Sequence, residues 1–278
     1  MTLLRRQRTA PDPDGRLVAI TPAEAGWQYV HFAAYRLPRG GALRGETAGN
    51  ETALIVLGGR CTIATGGRSF QDVGRRRDVW DRLPPYVLLL PPGSMYHVEA
   101  VTELHLALAA APASAAPAAR LITPDEIVVE HRGEGQTYRY IHHLLPPAAP
   151  AARLILVEVY TPGGNWSSFP PHKHDTEDPP RESYLEETYY YQIRPSAGFA
   201  LQRVYTSDGS LDEAVAPGDG DLVLVPRGYH TVAAMPGHEC YYLNVMAGPG
   251  RAWNFQIDPA YAGLMNWRKP AVAGGSDG

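Results

Sequence analysis

Short apolar or alternating runs recur along the 278-residue chain, each closed by turn residues. They are Ala53–Leu57, Cys61–Thr65, Tyr86–Leu90, Leu104–Leu108, Leu154–Tyr160, Thr188–Ile193, Phe199–Tyr205, Asp221–Val225 and Tyr241–Met246. Between them stand Gly58-Gly59, Gly66-Gly67, Pro91-Pro92-Gly93, Ser207-Asp208-Gly209 and Pro217-Gly218-Asp219-Gly220, all residue types that reverse a chain sharply. Helical periodicity is nearly absent, and Pro22-Ala23-Glu24 and Pro259–Leu264 read as short helical turns. Many short strands with closely spaced turns predict an all-β protein built as a sandwich or barrel.

The segment Ala109–Ala119, AAAPASAAPAA, carries no large side chain to anchor a core, and its prolines forbid a long helix. It reads as the link between two domains, 1–115 and 116–278, and Pro146–Pro150 reads as a loop inside the second. The two parts carry matching landmarks. Glu51-Thr52 and Glu187-Thr188 each open an apolar run, 136 positions apart, and the Pro-x-Gly turns at Pro91 and Pro226 are 135 apart. Two landmarks of different chemistry at one offset predict an internal duplication.

Composition narrows the function classes. Hydrophobic residues at 44% supply sizeable cores, and 25 Lys+Arg against 29 Asp+Glu is too even for a nucleic-acid binder. Two cysteines, Cys61 and Cys240, exclude a disulfide scaffold and any Cys-rich zinc module. The most apolar stretch, Leu106–Ala119, is broken by Pro112 and Pro117, so no membrane span is expected. The start MTLLRRQRT has no apolar run behind it, and the expected location is the cytoplasm. The small polar tail, Ala271–Gly278, is expected to fray. Sixteen tyrosines against five phenylalanines suit a wall that is apolar in body and hydrogen-bonding at its tip.

Chemistry concentrates in the second half, in Pro171-His172-Lys173-His174-Asp175, then Glu186-Glu187, then Pro226-Arg227-Gly228-Tyr229-His230. Residues i and i+2 of a strand share a face, so His172 and His174 can aim two imidazoles at one point. A later imidazole, His230, and a carboxylate complete a mixed nitrogen and oxygen metal site. Neutral imidazole and carboxylate suit zinc, manganese, iron, nickel or cobalt. Glu187 shares its face with Tyr189, Tyr191 and Ile193 and is the expected ligand, with Glu186 facing outward or at the pocket mouth.

This order of residues resembles the cupin superfamily, whose first motif carries His-x-His and Glu and whose second carries Pro-x-Gly and His. The resemblance implies two tandem cupin barrels of the jelly-roll, double-stranded β-helix kind, a bicupin. The gap from His174 to Glu187 is long for a generic cupin. His172-Lys173-His174-Asp175, Arg181 through Gln192 and Met246-Ala247-Gly248-Pro249 together resemble the 5-deoxy-glucuronate isomerases of myo-inositol catabolism, relatives of the 4-deoxy-L-threo-5-hexosulose-uronate ketol-isomerases, which share that insertion. The resemblance implies one divalent cation per chain, zinc or manganese first and iron or nickel next, on His172, His174, Glu187 and His230. The first half has no His-x-His before Glu51; Glu51 and His97 are what remains there of a ligand set.

The activity implied is an aldose–ketose isomerisation of 5-deoxy-D-glucuronate to 2-deoxy-5-keto-D-gluconate through an enediolate. It needs a Lewis acid for the developing oxyanion and a group to carry a proton between adjacent carbons. Glu182, Glu186 and Tyr242 are the candidates for that group. The small-molecule uronate substrate ends in a carboxylate, for which Arg251, Arg153, Arg194 and Lys173 are the candidates. Two rival readings use the same residues: a metal-dependent cupin dioxygenase, and a non-catalytic sugar-binding bicupin. No nucleic-acid or membrane partner is expected, and strand edges make a homo-oligomer plausible.

Overall fold

The computed structural model describes residues 2–264, so the tail Ala271–Gly278 lies outside the described residues. Every run singled out above lies in or overlaps a strand, and all pairings between strands are antiparallel. The two helical turns fall at Pro22–Ala25 and Pro259–Leu264. The first opens on a capping box, in which Thr21 and Glu24 each accept from the other's backbone N–H.

Four sheets form. In the first half a six-stranded sheet centred on Asn50–Gly58 and Leu104–Pro112 faces a four-stranded sheet centred on Met95–Ala100. In the second half a seven-stranded sheet centred on Glu186–Arg194 and Glu239–Ala247 faces a five-stranded sheet centred on Tyr229–Ala234. Each half is thus a jelly-roll barrel. The two large sheets then pack back to back, in a third core built by both halves: Phe32, Ile55 and Ala109 on one side, Tyr190, Leu243 and Val245 on the other.

Strand alternation explains how one strand serves two cores. In Glu186–Arg194, Tyr189, Tyr191 and Ile193 point into the second barrel, while Tyr190 points to the first half. In Leu104–Pro112, Ala107, Ala109 and Ala111 point to the second half. The alanine run read as a link is therefore partly strand. Its small side chains let two sheets approach, and the true connection starts after Pro112.

The strand pairings cross the expected boundary at 115/116. Leu4–Arg5, at the start of the chain, pairs with Leu222–Val225 of the second barrel, Leu4 opposite Val223. Arg120–Ile122, beyond the link, pairs with Val87–Leu90 of the first, Leu121 opposite Leu88. Each barrel borrows an edge strand from the segment leading into the other.

The register also corrects the internal alignment. Thr52 pairs with Leu90 and Glu187 pairs with Val225, both displaced by 135. The counterpart of Glu187 is therefore Thr52, and the counterpart of Glu51 is Glu186. These two carboxylates do the same work. Glu186 accepts from the backbone N–H of Gln28, Tyr29 and Val30 at 2.7 to 2.9 Å, and Glu51 from that of Ala152, Arg153 and Leu154 at 2.6 to 3.0 Å. Each is buried and pins the other half's entry into a central strand. Glu186 is thus neither outward-facing nor at the pocket mouth.

A buried ion pair crosses the same interface. Arg76 reaches Glu158 with two bonds of 2.5 and 3.0 Å, and Tyr241 and His142 complete the carboxylate's shell. Burial pushes the Glu158 carboxyl up, but Arg76 and His142 outweigh it and hold it at about 2. Its stabilisation is therefore fully present above the ordinary value of 4.5 and fades as the pH falls toward 2. Glu158→Gln leaves a buried guanidinium without its counter-charge, and should cost about 3–5 kcal/mol in urea unfolding at pH 7. It should also flatten the acid limb of stability against pH, and an unchanged limb would remove this role.

Candidate metal centre

His172 ends the strand Trp166–Lys173 and pairs in register with His230, and His174 follows two positions on. Their ligand nitrogens lie within 4.8 Å of one another. Glu187, second residue of Glu186–Arg194, projects from the facing sheet. Its Oε2 stands 3.0 Å from His174 Nε2 and 3.1 Å from His230 Nε2, and its Oε1 accepts from Asn244 Nδ2 at 2.7 Å. The structure thus brings His172, His174, His230 and Glu187 together at one wall of the second barrel.

Proton placement decides what this cluster wants. The three Nδ1 atoms face the carbonyls of Pro170, Leu185 and Gly228 at 3.2, 3.0 and 3.3 Å. A carbonyl only accepts, so each Nδ1 carries the hydrogen and each Nε2 of a neutral ring is bare. Two bare nitrogens then face one carboxylate oxygen at hydrogen-bond distance. Three acceptors at one point require a positive charge among them, and His230 Nε2 has no hydrogen-bond partner at all. Electrostatics point the same way. Burial opposes charge on Glu187 and on His174, yet their proximity outweighs it, lowering the first and raising the second. Burial, with His230 and His174 adding, pushes His172 down to about 3. The donor set fits a divalent cation of the first transition row or zinc.

A cavity of about 580 Å³ opens beside these residues, a size suited to a six-carbon sugar acid. His172, Glu187, Tyr189, Tyr242 and Asn244 form part of its wall, and Val157, Val159, Trp253 and Phe255 form an apolar part. Ser168 Oγ stands 3.0 Å from the Tyr189 hydroxyl and 3.3 Å from that of Tyr242. Burial raises both phenols, so they hold their protons at neutral pH and serve as donors.

Most of the other residues expected here are occupied elsewhere. Glu182 is buried beneath the His-x-His turn, accepting from the backbone N–H of Asp175 and Thr176 and from Lys173 Nζ. Lys173 also reaches Asp175 at 2.7 Å, so neither it nor Glu182 lines the cavity. Arg251 donates to the carbonyls of Leu145, Pro146, Pro147, Ala149 and Leu154, and so holds the proline loop as a clamp. Arg153 donates to the carbonyls of Gly248 and Pro249. Arg194 pairs with Glu239 over the Trp80 ring. Of the seven catalytic and substrate candidates, Tyr242 alone lines the cavity.

The cations and the spare imidazole of the cavity are Arg132, Arg139 and His143. They sit on the edge strand Val128–Arg132 and its neighbour Arg139–Leu145, with Arg132 opposite Arg139. Sequence reading passed over the two arginines and set His143 aside as a metal ligand, because adjacent rings at His142 and His143 diverge in a strand. The signal was alternation: Arg139, Ile141 and His143 share a face, and Ile141 faces the barrel core.

In the first barrel the same place holds Thr52. Its interior is filled by Leu54, Val56, Ile63 and Tyr96, with the Tyr96 ring lying across Gly45, where an added Cβ would stand 2.2 Å from its hydroxyl. A ligand set at that place lacks its carboxylate.

The fold and this cluster can now be set beside known proteins. A crystal structure of an IolB-like protein from Salmonella typhimurium superposes with a TM-score of 0.92 at 41% identity, covering 95% of this chain and 99% of that one. Oxalate decarboxylase of Bacillus subtilis superposes at 0.62 with 15% identity over 92% of this chain and 79% of that one, a likeness of fold. In sequence, the 5-deoxy-glucuronate isomerase of Geobacillus thermodenitrificans is 50% identical over 256 residues, 92% of this chain and 93% of its own. That of Bacillus subtilis is 38% identical over 266 residues, 95% and 98%. Residues 3–264 match the KduI/IolB family, nearly the whole described chain: the chain belongs to the KduI/IolB family.

Proposed function

We propose that the chain is an aldose–ketose isomerase that converts 5-deoxy-D-glucuronate to 2-deoxy-5-keto-D-gluconate. The carrying observation is the cluster of three imidazoles beside Glu187, at the wall of a cavity with room for a sugar acid. The relatives that share most of the chain bear this activity in their names. A divalent cation held by His172, His174, His230 and Glu187 would supply the Lewis acidity that stabilises negative charge on the substrate's oxygens.

The chain's own groups do the rest. The backbone carbonyls of Pro170, Leu185 and Gly228 fix the ring orientations, and Asn244 fixes the carboxylate. The Tyr242 and Tyr189 hydroxyls, joined through Ser168, donate hydrogen bonds to oxygens that gain charge. The apolar wall limits water around the reacting carbons. The proton moves from the hydroxyl-bearing carbon to the former carbonyl carbon, while the hydroxyl proton passes to the former carbonyl oxygen, so no oxidant is consumed. His143 supplies the imidazole for that transfer, its Nε2 held 2.8 Å from Glu130.

Incubated anaerobically with 5-deoxy-glucuronate, the metal-loaded protein should convert the aldehyde signal to that of the ketone by NMR. Unchanged substrate would reject the reading, and turnover that needs oxygen would favour a dioxygenase. His174→Ala should lower metal content from one per chain to near none by mass spectrometry and abolish turnover with it; full turnover would reject the assigned site. His143→Gln should lower kcat at least about 100-fold with KM and metal content unchanged. An unaltered kcat would move the proton carrier to another group.

A further inference from the structure

Arg139 and Arg132 face each other on the last two strands of the seven-stranded sheet, and their side chains meet different fates. Arg132 is gripped by Glu130, with Nε–Oε1 at 2.6 Å and Nη2–Oε2 at 2.7 Å, a bidentate pair that neutralises it. Arg139 makes no ion pair among the described residues, although it is only 8% exposed. Its Nη1 donates to Thr137 O at 2.9 Å and its Nη2 to Phe169 O at 3.0 Å. A guanidinium has five N–H donors, so three remain unused in a group that lines the cavity. Burial pushes its pKa down, as expected for a cation short of counter-charge.

Buried charges are normally paired, and an unpaired one in a cavity is a place for a ligand's opposite charge. The two carbonyls fix the direction of the fork, so little freedom is lost when an anion binds. The position also suits the substrate. Phe169, on which Arg139 is anchored, and His172 belong to one strand and both line the cavity, so the guanidinium and the imidazole cluster border the same space.

We infer that Arg139 binds the terminal carboxylate of the substrate and makes the cavity selective for a sugar acid over the neutral sugar of equal length. The inference rests on the isomerase reading for the identity of the acid. The contrasting role, a purely structural tie between two carbonyls, predicts no dependence on substrate charge.

The test compares kcat/KM for 5-deoxy-glucuronate with that for its analogue bearing a primary alcohol in place of the carboxylate. Metal-loaded wild type, Arg139→Met and Arg139→Lys are measured in parallel. Wild type should prefer the acid by about 10- to 100-fold, Arg139→Met should bring the ratio near one through KM for the acid, and Arg139→Lys should keep part of it. The ratio within one preparation does not depend on how much protein is folded. A wild-type preference retained in Arg139→Met would overturn the inference. A second arm measures calorimetric binding of the unreactive acid in which the aldehyde is reduced to an alcohol. If wild type turns over neither sugar, the isomerase reading falls by itself. Arg139 is then judged on the binding arm, where equal affinity in wild type and Arg139→Met would overturn its role.

Discussion

A strand in this fold gives its two faces to two different tasks, and the function depends on that division. Adjacent carboxylates begin Glu186–Arg194. One is buried against the first half and takes three of its backbone N–H groups, and the next turns into the second barrel, to the imidazoles. Because the side-chain period is two, a shift of one residue would turn each to the other's face, and either the metal cluster or the three N–H groups would lose a carboxylate, according to the direction of the slip. The register that assembles the site is thus the register that assembles the molecule. It is held by the full ladders to Leu222–Val225 and Glu239–Ala247 on either side.

The first barrel contributes as a buttress. Its large sheet covers the outer face of the strand that carries Glu187, and its Arg76 neutralises Glu158, two strands along in the same sheet of the second barrel. The two carboxylate ties, through Glu51 and Glu186, are equivalent under the duplication. The exchanged edge strands Leu4–Arg5 and Arg120–Ile122 are equivalent in the same way. An interface built from such paired features fixes the relative position of the two sheets in both directions. That rigidity suits a site whose ligands come from three strands and a turn. The first barrel's own interior has no comparable demand, and apolar side chains fill it.

Much of the fold was legible in the sequence because alternation and turn chemistry are local. The His-x-His spacing carried the pairing of His172 with His174 for the same reason. What misled was a one-residue slip in the internal alignment. The repeated Glu-Thr dipeptide matched Glu51 to Glu187, whereas the sheet register matches Glu51 to Glu186. The alanine-rich segment misled because small residues signal a link locally and close sheet packing globally. The arginines were the least legible. Arg251 satisfies carbonyls of the proline loop, Arg153 satisfies those beyond Ala247, and Arg194 lies on an aromatic ring, none of which has a short-range signature. Arg139 becomes visible only once its strand is known to face the cavity.

Charge then argues for the kind of ligand the cavity takes. The chain as a whole carries −4, which would repel an anion at long range. Inside the cavity the count differs. Arg132 and Glu130 cancel, the carboxylate of Glu187 is committed to the imidazole cluster, and the Arg139 guanidinium is left over. A divalent cation on the cluster would more than offset Glu187, so the cavity wall would be net positive within a negative molecule. A low-dielectric pocket of that sign concentrates a small anion and discriminates against a neutral sugar, because desolvating the wall without supplying the missing charge is costly. The apolar surface from Val157, Val159, Trp253 and Phe255 strengthens this by keeping competing water away from the fork. A sugar acid satisfies both ends of such a cavity, with oxygens for the cation and a carboxylate for the guanidinium, and a neutral sugar satisfies only one.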